Sequence, residues 1–291
     1  MSRGLVIGLT LGDPAGIGPE LVSKVKRKLG GRLVLRVMGS SAGFHPGHPT
    51  VTGAQQALEA LEESVRLLQS RKIQAVVNGP VSKEWLAKAG FRFPGQTEFY
   101  ARRFGCKDDA VTMCMVGPRL RVGLVSTHLS LQRAILKLKP GGIVRAGIHL
   151  AELLRRMGVR RPRIAVCGLN PHGGEQGLFG REEARVVAPA IRQLRRKTRL
   201  PVAGPEPADT VFRRAMKGEF DGVVALYHDQ GLIPAKLLDF ERTVNVTMGL
   251  PVVRCSPDHG TAFGLAGKGK ARPDSLLEAV RLAVRLAKGK P

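Results

Sequence analysis

Apolar runs of strand length alternate along the chain with longer segments whose apolar residues recur at helical spacing. The predicted strands are residues 5–12, 32–39, 73–77, 110–117, 120–127, 163–169, 222–228 and 243–249. The predicted helices include residues 54–70, 141–157, 181–198 and 275–288. This alternation predicts an α/β fold with a mostly parallel sheet and flanking helices. The strands at 110–117 and 120–127 are joined by a short "PR" connection, which predicts a hairpin and therefore a mixed sheet.

The length of 291 residues is enough for one large domain or for two interleaved ones. No apolar run approaches the roughly 20 residues that span a bilayer, and the apolar N-terminal segment is interpreted as a first strand. We therefore expect a cytoplasmic protein without a membrane partner. The four cysteines include no C-x-x-C pair, so a disulfide framework is not expected. Cys114, Cys167 and Cys255 lie in strand-like runs and are predicted to be buried.

The formal net charge of +24 could attract nucleic acid, membrane lipids or small polyanions. However, the basic residues are spread over the predicted helices and are not gathered in one tail. The chain has one Trp and two Tyr, so aromatic platforms for stacking bases are scarce. We interpret the charge as an arginine-rich surface and expect no nucleic-acid partner.

Three histidines share one local pattern, an apolar run followed by a histidine and a turn. His128 follows "VGLVST", His172 follows "IAVCGLNP" and His228 follows "VVALY". Ligands of open α/β sheets bind beyond the carboxyl ends of the strands, where three imidazoles could converge on one divalent metal ion. One such histidine alone would be interpreted as a partly buried structural residue. Their long spacings match no short metal-binding motif, but the shared pattern favours the metal.

Two aspartates near this chemistry have alternative roles. Asp209 in "PADT" is interpreted as the N-cap of a helix, with a metal-site carboxylate as the alternative. Asp229 either orients the imidazole of His228 or bonds to the backbone. Beyond His228, Gly231 and Pro234 are predicted to break the chain.

Strong hydrogen-bond donors appear in or beside later strand-like segments: Lys236, Asn245 and Arg254, the last at the end of the strand-like "LPVVR". Two cations and an amide suit a phosphorylated or carboxylated substrate, although each cation alone would also fit a solvated surface. In "PGQTE", Thr97 is interpreted either as a helix cap or as part of a substrate clamp.

Two glycine-rich loops complete the candidate chemistry. "LGDPAGIGPE" (11–20) lies between the first strand and a helix, where backbone amides could bind an anion. It lacks the dinucleotide fingerprint G-x-G-x-x-G. "DHGTAFGLAGKGKARPD" (258–274) is longer and richer in glycine than a simple connection requires.

Taken together and in order, these motifs resemble the 4-hydroxythreonine-4-phosphate dehydrogenase family, NAD-dependent enzymes of pyridoxal phosphate biosynthesis. The resemblance covers nearly the whole chain and is most specific in the combination of "YHDQG" with "DHGTA". It is also carried by "GDPAGIGPE", "NGPVSK", "PGQTEF", "STHLSL", "GLNPHGGE", "PADT" and "VNVTMGLPVVR". It implies the fold of the isocitrate and isopropylmalate dehydrogenases, with two interleaved α/β subdomains and the active site in the cleft between them.

The resemblance also implies roles for particular residues, and it places the active site at a homodimer interface. One divalent metal ion, of zinc, cobalt or magnesium, is bound by His128, His172 and His228. The substrate is contacted by Gln96, Thr97, Lys236, Asn245 and Arg254. The dinucleotide is contacted by the loop at 258–274, through His259, Gly260, Thr261, Ala262, Gly267 and Lys270.

Two positions depart from the pattern. The family commonly has a histidine where Gln96 stands, and an amide cannot be cationic, so amino-acid and hydroxy-acid substrates both stay open. Members of the superfamily that prefer NAD often have an acidic residue where Gly264 stands. With Lys268, Lys270 and Arg272 near Gly264, NAD and NADP both stay open.

The implied reaction is the NAD(P)- and metal-dependent oxidation of 4-phosphohydroxy-L-threonine to 2-amino-3-oxo-4-phosphohydroxybutyrate, which decarboxylates to 3-amino-2-oxopropyl phosphate. A sibling activity on 4-phospho-threonate or 4-phospho-erythronate is the alternative. We hypothesise that a base takes the hydroxyl proton while hydride leaves to the nicotinamide; Asp209, Asp229 and Lys236 are the candidates. A rival from another class is a metal-dependent phosphate-ester hydrolase or binding protein, which would reduce no NAD(P).

Overall fold

The computed structural model describes residues 4–289. The chain forms two compact units. Unit 1 comprises the described residues up to Asp108 together with Val244–Lys288, and unit 2 comprises Asp109–Thr243. The chain therefore leaves unit 1, builds unit 2 and returns to complete unit 1.

The regular elements are numbered here in chain order. The strands are β1 (Val6–Thr10), β2 (Val34–Met38), β3 (Ala75–Asn78), β4 (Thr112–Val116), β5 (Arg121–Leu124), β6 (Ile164–Cys167), β7 (Val202–Glu206), β8 (Gly222–Ala225), β9 (Val244–Met248) and β10 (Val253–Pro257). The α-helices are α1 (Gly18–Leu29), α2 (Val51–Gln69), α3 (Lys83–Lys88), α4 (Gln96–Arg103), α5 (Leu131–Leu136), α6 (Pro140–Arg156), α7 (Ala188–Thr198), α8 (Ala208–Met216), α9 (His228–Asp239) and α10 (Asp274–Lys288). A π-helical turn, Glu183–Val187, leads into α7.

Unit 1 contains five strands in the order β2-β1-β3-β10-β9. All neighbours are parallel except β9, which is antiparallel to β10. Helices α2 and α10 pack on these strands. The apolar periodicity of α10 buries Leu276, Ala279, Val280 and Ala283 completely, so this face of the helix supplies much of the core of unit 1.

Unit 2 contains five strands in the order β4-β5-β8-β6-β7. β4 and β5 form the predicted antiparallel hairpin, and the remaining neighbours are parallel. Helices α6, α8 and α9 pack against these strands. The predicted fold class, a mixed and mostly parallel sheet with flanking helices, is confirmed.

The eight predicted strands are all present with narrower or shifted bounds, β7 was missed, and β10 was recognised only in part, as the strand-like run "LPVVR". β7 has the sequence "VAGPE", whose glycine and proline are unusual inside a strand. β10 was interpreted as ending at Arg254, and this is wrong because Arg254 is its second residue and the strand continues to Pro257.

Helix α9 contradicts the prediction that Gly231 and Pro234 break the chain, because the helix runs through both. A Cβ atom at Gly231 would lie 2.7 Å from a methyl group of Leu124 and 2.9 Å from Cβ of Ala225. The glycine therefore allows the helix to pack directly on β5 and β8. Pro234 removes one helical hydrogen bond, but the packed helix continues beyond it to Asp239.

Within residues 4–289, no helix is both long enough and apolar enough to cross a membrane. The four cysteines are free thiols, and Cys114, Cys167 and Cys255 are buried as predicted. Burial raises the pKa of Cys114 and of Cys255 to about 12. These thiols therefore stay protonated and behave as small apolar side chains.

Candidate active site

Two of the three predicted metal-binding histidines lie close together in unit 2. β5 and β8 are parallel neighbours whose last residues, Leu124 and Ala225, stand opposite each other. His128 lies in the loop after β5, and His228 is the first residue of α9, shortly after β8. Their ring centroids are 5.8 Å apart. The register of the two strands thus brings together imidazoles that are distant in the sequence.

Asp229 orients the ring of His228. Its Oδ1 atom lies 2.6 Å from Nδ1 of His228, although the carboxylate itself is exposed. A carboxylate at one ring nitrogen fixes the tautomer and presents the other nitrogen to a ligand. Of the two roles expected for Asp229, this is the one that the structure shows.

A cavity of about 230 Å³ lies beside the two histidines. It is lined by Thr127, His128, Leu129, Leu131, Ala134, Tyr227, His228 and Asp229. Polar groups that converge within an otherwise apolar wall are typical of a small-molecule site.

His172 lies in a left-handed turn after β6. His172, Glu175 and Gln176 have φ angles of 54, 41 and 56°, and Gly173 and Gly174 also have positive φ. The left-handed conformation costs roughly 1–2 kcal/mol for each residue other than glycine. Strain of this kind clusters at functional sites, which supports a functional role for the turn.

The described part of one chain does not assemble the three-histidine site. Within residues 4–289, no three His, Cys, Asp or Glu side chains are grouped so that they could hold a metal ion. The ring of His172 lies beside Phe179, with centroids 6.1 Å apart. The structure therefore brings together His128 and His228 without His172, and the metal assignment stays a prediction.

A buried carboxylate, Glu183, anchors the start of the segment that carries His172. Its Oε1 accepts hydrogen bonds from the backbone N–H groups of Leu169 and Asn170, both at 2.7 Å. Its Oε2 accepts a third from the Asn170 side chain at 3.0 Å. Burial opposes ionisation, but the hydrogen bonds outweigh it, and the pKa of Glu183 lies below its ordinary value.

A buried amide, Gln230, ties the same segment to the end of β8. Its Oε1 accepts from the backbone N–H of Leu226 at 2.7 Å. Its Nε2 donates to the carbonyl oxygen of Gly168 at 2.8 Å. Gln230 therefore links the chain that leads to His172 with the chain that leads to His228.

Two further predicted residues of unit 2 occupy different places from those expected. α8 begins at Ala208 after Pro207, without a side-chain cap, so the interpretation of Asp209 as the N-cap is wrong. Asp209 is exposed in the first turn, where its charge favours the helix dipole. Lys236 lies within α9 and not beside a strand, with Nζ 5.7 Å from the ring centroid of Phe240.

Unit 1 contains a buried cation, Arg254, which is 3% exposed. Its Nε donates to Oδ1 of Asn78 at 2.7 Å, its Nη1 to Oγ1 of Thr247 at 3.3 Å and its Nη2 to Oε1 of Gln96 at 2.9 Å. Burial lowers the pKa of Arg254. All three hydrogen-bond acceptors are neutral oxygen atoms, and the carboxylate of Glu98 acts on the guanidinium through space as a smaller influence that raises its pKa.

The other predicted substrate residues of unit 1 lie near these partners. Gln96 is the first residue of α4, whose N-cap is Gly95 without a side-chain hydrogen bond. Thr97 is therefore not the cap; it is buried, and its hydroxyl lies 3.4 Å from that of Thr247. Asn245 on β9 has a buried Oδ1 atom that finds no hydrogen-bond partner in the described part of the chain, an unsatisfied acceptor.

The predicted dinucleotide loop follows β10 in unit 1. The backbone N–H of Ile17 donates to the carbonyl oxygen of Thr261 at 2.9 Å, which joins the loop to the glycine-rich segment at 11–20. The side chain of Lys24 donates to the carbonyl oxygens of Gly269 and Ala271 at 2.8 and 2.7 Å. Gly264 has open space around it. The loop is thus anchored at both ends and has an accessible centre.

The predicted contact residues of this loop are mostly accessible. Gly260, Ala262, Gly267 and Lys270 are exposed, whereas Thr261 is buried. His259 is intermediate, with Nδ1 3.1 Å from the carbonyl oxygen of Gly260 and a buried Nε2 without a hydrogen-bond partner. An unpartnered ring nitrogen leaves His259 able to bond to a ligand.

Sequence reasoning missed three buried residues that support these groups: Asn78, Glu183 and Gln230. Asn78 ends the apolar run "AVVN" and lies in the quoted motif "NGPVSK", so a polar residue closing a buried strand was the available signal. Glu183 and Gln230 lie in helical segments, where nothing in the sequence distinguishes a buried polar residue from a solvated one.

Comparison with known proteins identifies the family. A family model described as pyridoxal phosphate biosynthetic protein PdxA matches residues 20–283. The chain is 40% identical to a 4-hydroxythreonine-4-phosphate dehydrogenase of Erythrobacter litoralis, over 95% of each chain. It is 42% identical to a D-threonate 4-phosphate dehydrogenase of Cupriavidus necator, over 97% of each chain.

Solved structures agree with this assignment. A crystal structure of 4-hydroxythreonine-4-phosphate dehydrogenase from Klebsiella pneumoniae is 34% identical, with a TM-score of 0.83 over 98% of this chain and 100% of that one. An isocitrate dehydrogenase from Methylococcus capsulatus, 15% identical, has a TM-score of 0.57 over 98% of this chain and 86% of that one. The latter comparison confirms the predicted fold alone. On these grounds the chain belongs to the PdxA family of dehydrogenases.

Proposed function

We propose that this protein is an NAD(P)- and divalent-metal-dependent dehydrogenase that oxidises the secondary hydroxyl of a phosphorylated four-carbon acid. The first candidate substrate is 4-phosphohydroxy-L-threonine, whose oxidation gives 2-amino-3-oxo-4-phosphohydroxybutyrate and, after loss of carbon dioxide, 3-amino-2-oxopropyl phosphate. This reaction belongs to pyridoxal phosphate biosynthesis, the process named in the description of the family.

The observation that carries the proposal is the buried cation of Arg254. A guanidinium has five N–H donors, and among residues 4–289 its recorded acceptors are the neutral oxygen atoms of Asn78, Gln96 and Thr247. A buried charge without a hydrogen-bonded opposite charge is costly. The carboxylate of Glu98 offsets this cost only in part, since burial still lowers the pKa of Arg254, and an anionic substrate group supplies the missing negative charge. Phosphate and carboxylate both match the planar fork of arginine.

Two residues beside Arg254 offer further contacts to the same substrate. The unpartnered Oδ1 of Asn245 accepts from a hydroxyl or an ammonium group. Gln96 uses its carbonyl oxygen on Arg254, which directs its NH₂ group toward the substrate as a donor. Thr97, bonded to Thr247, completes this wall.

The histidines fit a divalent metal ion by the chemistry of their donors. His128 and His228 present two imidazoles in one cavity, and Asp229 holds His228 as carboxylates commonly hold metal-binding histidines. His172 is exposed on a strained turn, accessible for a third bond. A bound divalent cation would polarise the substrate hydroxyl and stabilise the negative charge that develops on its oxygen.

The proton of the substrate hydroxyl requires a base, and three residues were candidates for that role. Asp229 is engaged with Nδ1 of His228, which gives it an orienting role. Asp209 and Lys236 are then the candidates that would take the hydroxyl proton while hydride passes to the nicotinamide. The dinucleotide, NAD or NADP, is assigned to the loop at 258–274 through His259 to Ala262, Gly267 and Lys270.

A homodimer is part of the proposal because unit 2 exposes apolar side chains around the histidine cavity. Leu136 on α5 and Ile233, Leu237 and Phe240 on α9 are each more than half exposed. Exposed large apolar side chains such as Ile233, Leu237 and Phe240, which recur at helical spacing on α9, are typical of a protein interface. We propose that a second copy of the chain covers these side chains, which would also supply a histidine from the partner to complete the metal site.

The alternative substrate is 4-phospho-threonate or the related 4-phospho-erythronate. It is favoured by the 42% identity to a protein named D-threonate 4-phosphate dehydrogenase, and by the presence of the neutral Gln96.

Reduction of NAD⁺ and NADP⁺, followed as absorbance at about 340 nm with each substrate, tests the function. We expect at least one phosphorylated substrate to be oxidised, with the ratio of kcat/KM values deciding between the amino acid and the hydroxy acid. Release of inorganic phosphate without reduced cofactor would contradict the proposal and support a phosphatase.

A further inference from the structure

A chain of hydrogen bonds crosses the interior of unit 1 and ends at Arg254. Ser64 on α2, Tyr100 on α4 and Asn78 on β3 are each 0% exposed. Oγ of Ser64 lies 2.5 Å from the hydroxyl of Tyr100, and Nδ2 of Asn78 lies 2.8 Å from the same hydroxyl. Oδ1 of Asn78 then accepts from Nε of Arg254 at 2.7 Å. Three elements of the unit therefore converge on one guanidinium.

The donor and acceptor roles in this hydrogen-bond network are fixed by Ser64. Ser64 donates its only hydroxyl proton to the carbonyl oxygen of Leu61 at 2.6 Å. Its oxygen must therefore accept from Tyr100, and the oxygen of Tyr100 must accept from the NH₂ group of Asn78. The carbonyl oxygen of Asn78 is left to face Arg254. Rotating the amide would place its NH₂ group against an N–H of the guanidinium, so only one orientation is compatible with the network.

The groups that hydrogen-bond to Arg254 are electrically neutral, and the carboxylate of Glu98 acts on Arg254 only through space. Asn78 occupies the position at Nε of Arg254 where a carboxylate would form an ion pair. Gln96 and Thr247 are neutral as well. A carboxylate at this distance would cancel most of the charge of the guanidinium within the buried site.

We propose that Asn78 is a positioning residue for substrate binding: it fixes the plane of the Arg254 guanidinium and, because it is neutral, reserves the charge of Arg254 for the phosphate or carboxylate of the substrate. The inference rests on the proposed function, since it assumes that Arg254 binds the substrate anion. It goes beyond that function by assigning a role to Asn78 and, through it, to Tyr100.

The substitution Asn78→Asp tests the role of charge with almost no change of shape. Tyr100 can turn its proton to the new carboxylate, so the fold is expected to be retained. We expect the KM for the phosphorylated substrate to rise about 10- to 100-fold, because the charge of Arg254 is neutralised. The KM for the dinucleotide is expected to stay within about twofold of wild type, since the loop at 258–274 is unaltered. Gln55→Glu, at an exposed position of α2, carries the same change of net charge and is expected to alter neither value.

Tyr100→Phe tests whether the orientation of the Asn78 amide matters. It also replaces Asn78→Asp as the test if that variant does not fold. It removes the acceptor for Nδ2 of Asn78 and lets the amide turn. We expect a smaller rise in substrate KM, of about 3- to 10-fold, again without a change in the KM for the dinucleotide. Wild-type substrate KM in both variants would overturn the inference. A parallel rise of both KM values with a lowered melting temperature would also overturn it, because that is the result of a purely structural role.

Binding of inorganic phosphate, measured by titration calorimetry without turnover, separates this inference from the proposed function. Weaker phosphate binding to Asn78→Asp than to the wild type supports the positioning role whichever substrate is oxidised. Unchanged phosphate affinity contradicts it even if the enzyme is an active dehydrogenase. A wild type that oxidises none of the proposed substrates refutes the function alone.

Discussion

Gln96 shows how much a single residue in the substrate wall can decide. Its carbonyl oxygen is bonded to Arg254, so it offers the substrate an NH₂ donor without a charge. The resemblance identified this position as a departure from the family, and the structure supplies its physical consequence. The guanidinium of Arg254 is shared between Gln96, Asn78 and Thr247, so the strength of anion binding depends on how these groups leave its charge available to the substrate.

We expect Gln96→His to make substrate binding depend on pH. A histidine has an ordinary pKa of about 6.5, and Arg254 beside it would move that pKa lower. As the pH falls through this value, the added positive charge should lower the KM for the phosphorylated substrate about 3- to 10-fold relative to wild type. The substrate phosphate also titrates near pH 6, so the ratio of the two KM values, measured from about pH 5 to 8, is the relevant quantity.

Gln55→His is the matched control for this prediction, because it adds the same ring at an exposed position of α2. Its KM ratio to wild type is expected to be flat over the same pH range. A flat ratio for Gln96→His as well would show that residue 96 does not contact the anionic part of the substrate.

At the scale of elements, the sequence predicted the strands better than the connections that carry the chemistry. The spacing of apolar residues and the composition of each run identified eight strands and the hairpin. The position of His128 and His228 after their strands followed from this. Helix α9 was missed because Gly231 and Pro234 are helix breakers by propensity, whereas close packing on β5 and β8 overrides that propensity. The left-handed turn at His172 could not be predicted either, because the carboxylate that anchors the residues before it, Glu183, lies 13 residues beyond Asn170 in the sequence.

We expect Glu183→Gln to destabilise the segment that carries His172. The folded-state pKa of Glu183 is lowered, so its contribution to stability is fully present above the ordinary pKa and is lost as the pH falls through the lowered value. At neutral pH the substitution should reduce the free energy of unfolding by about 1–2 kcal/mol, the worth of charge-assisted hydrogen bonds. Thermal or urea unfolding across the acidic range measures this difference, which should shrink as the pH is lowered.

Glu182→Gln is the control, since the neighbouring Glu182 accepts one recorded hydrogen bond within residues 4–289, from the Asn170 side chain at 2.9 Å. It makes the same change of charge and should cost less than Glu183→Gln. Equal losses from the two variants, or a loss from Glu183→Gln that is independent of pH, would remove Glu183 as the anchor of the turn.

At the scale of the whole molecule, the proposal requires a second copy of the chain. Leu237 is 83% exposed on α9, the helix that begins with His228. The net charge of +24 opposes association but attracts an anionic substrate. The cytoplasmic location expected from the sequence stays a prediction, as does the placement of the active site at an interface.

We expect Leu237→Lys to convert a dimer into a monomer, because it places a charged side chain in an apolar interface. Activity should fall in proportion to the fraction of dimer lost. Size-exclusion chromatography with light scattering measures the mass. Val34→Lys is the control at a position of unit 1 that is 58% exposed, and it should leave the mass unchanged. A wild type that is monomeric and fully active would exclude the shared site.

The central claim is that a divalent metal bound by strand-end histidines is required for oxidation of a phosphorylated substrate by NAD(P)⁺. The most direct test is the rate of NAD(P)H formation by metal-free protein as zinc, cobalt or magnesium is added back. We expect no activity without metal, recovery that saturates at about one ion per chain, and no recovery in the variants His228→Asn and His172→Asn. Undiminished activity of the metal-free protein, or of either variant, would contradict it.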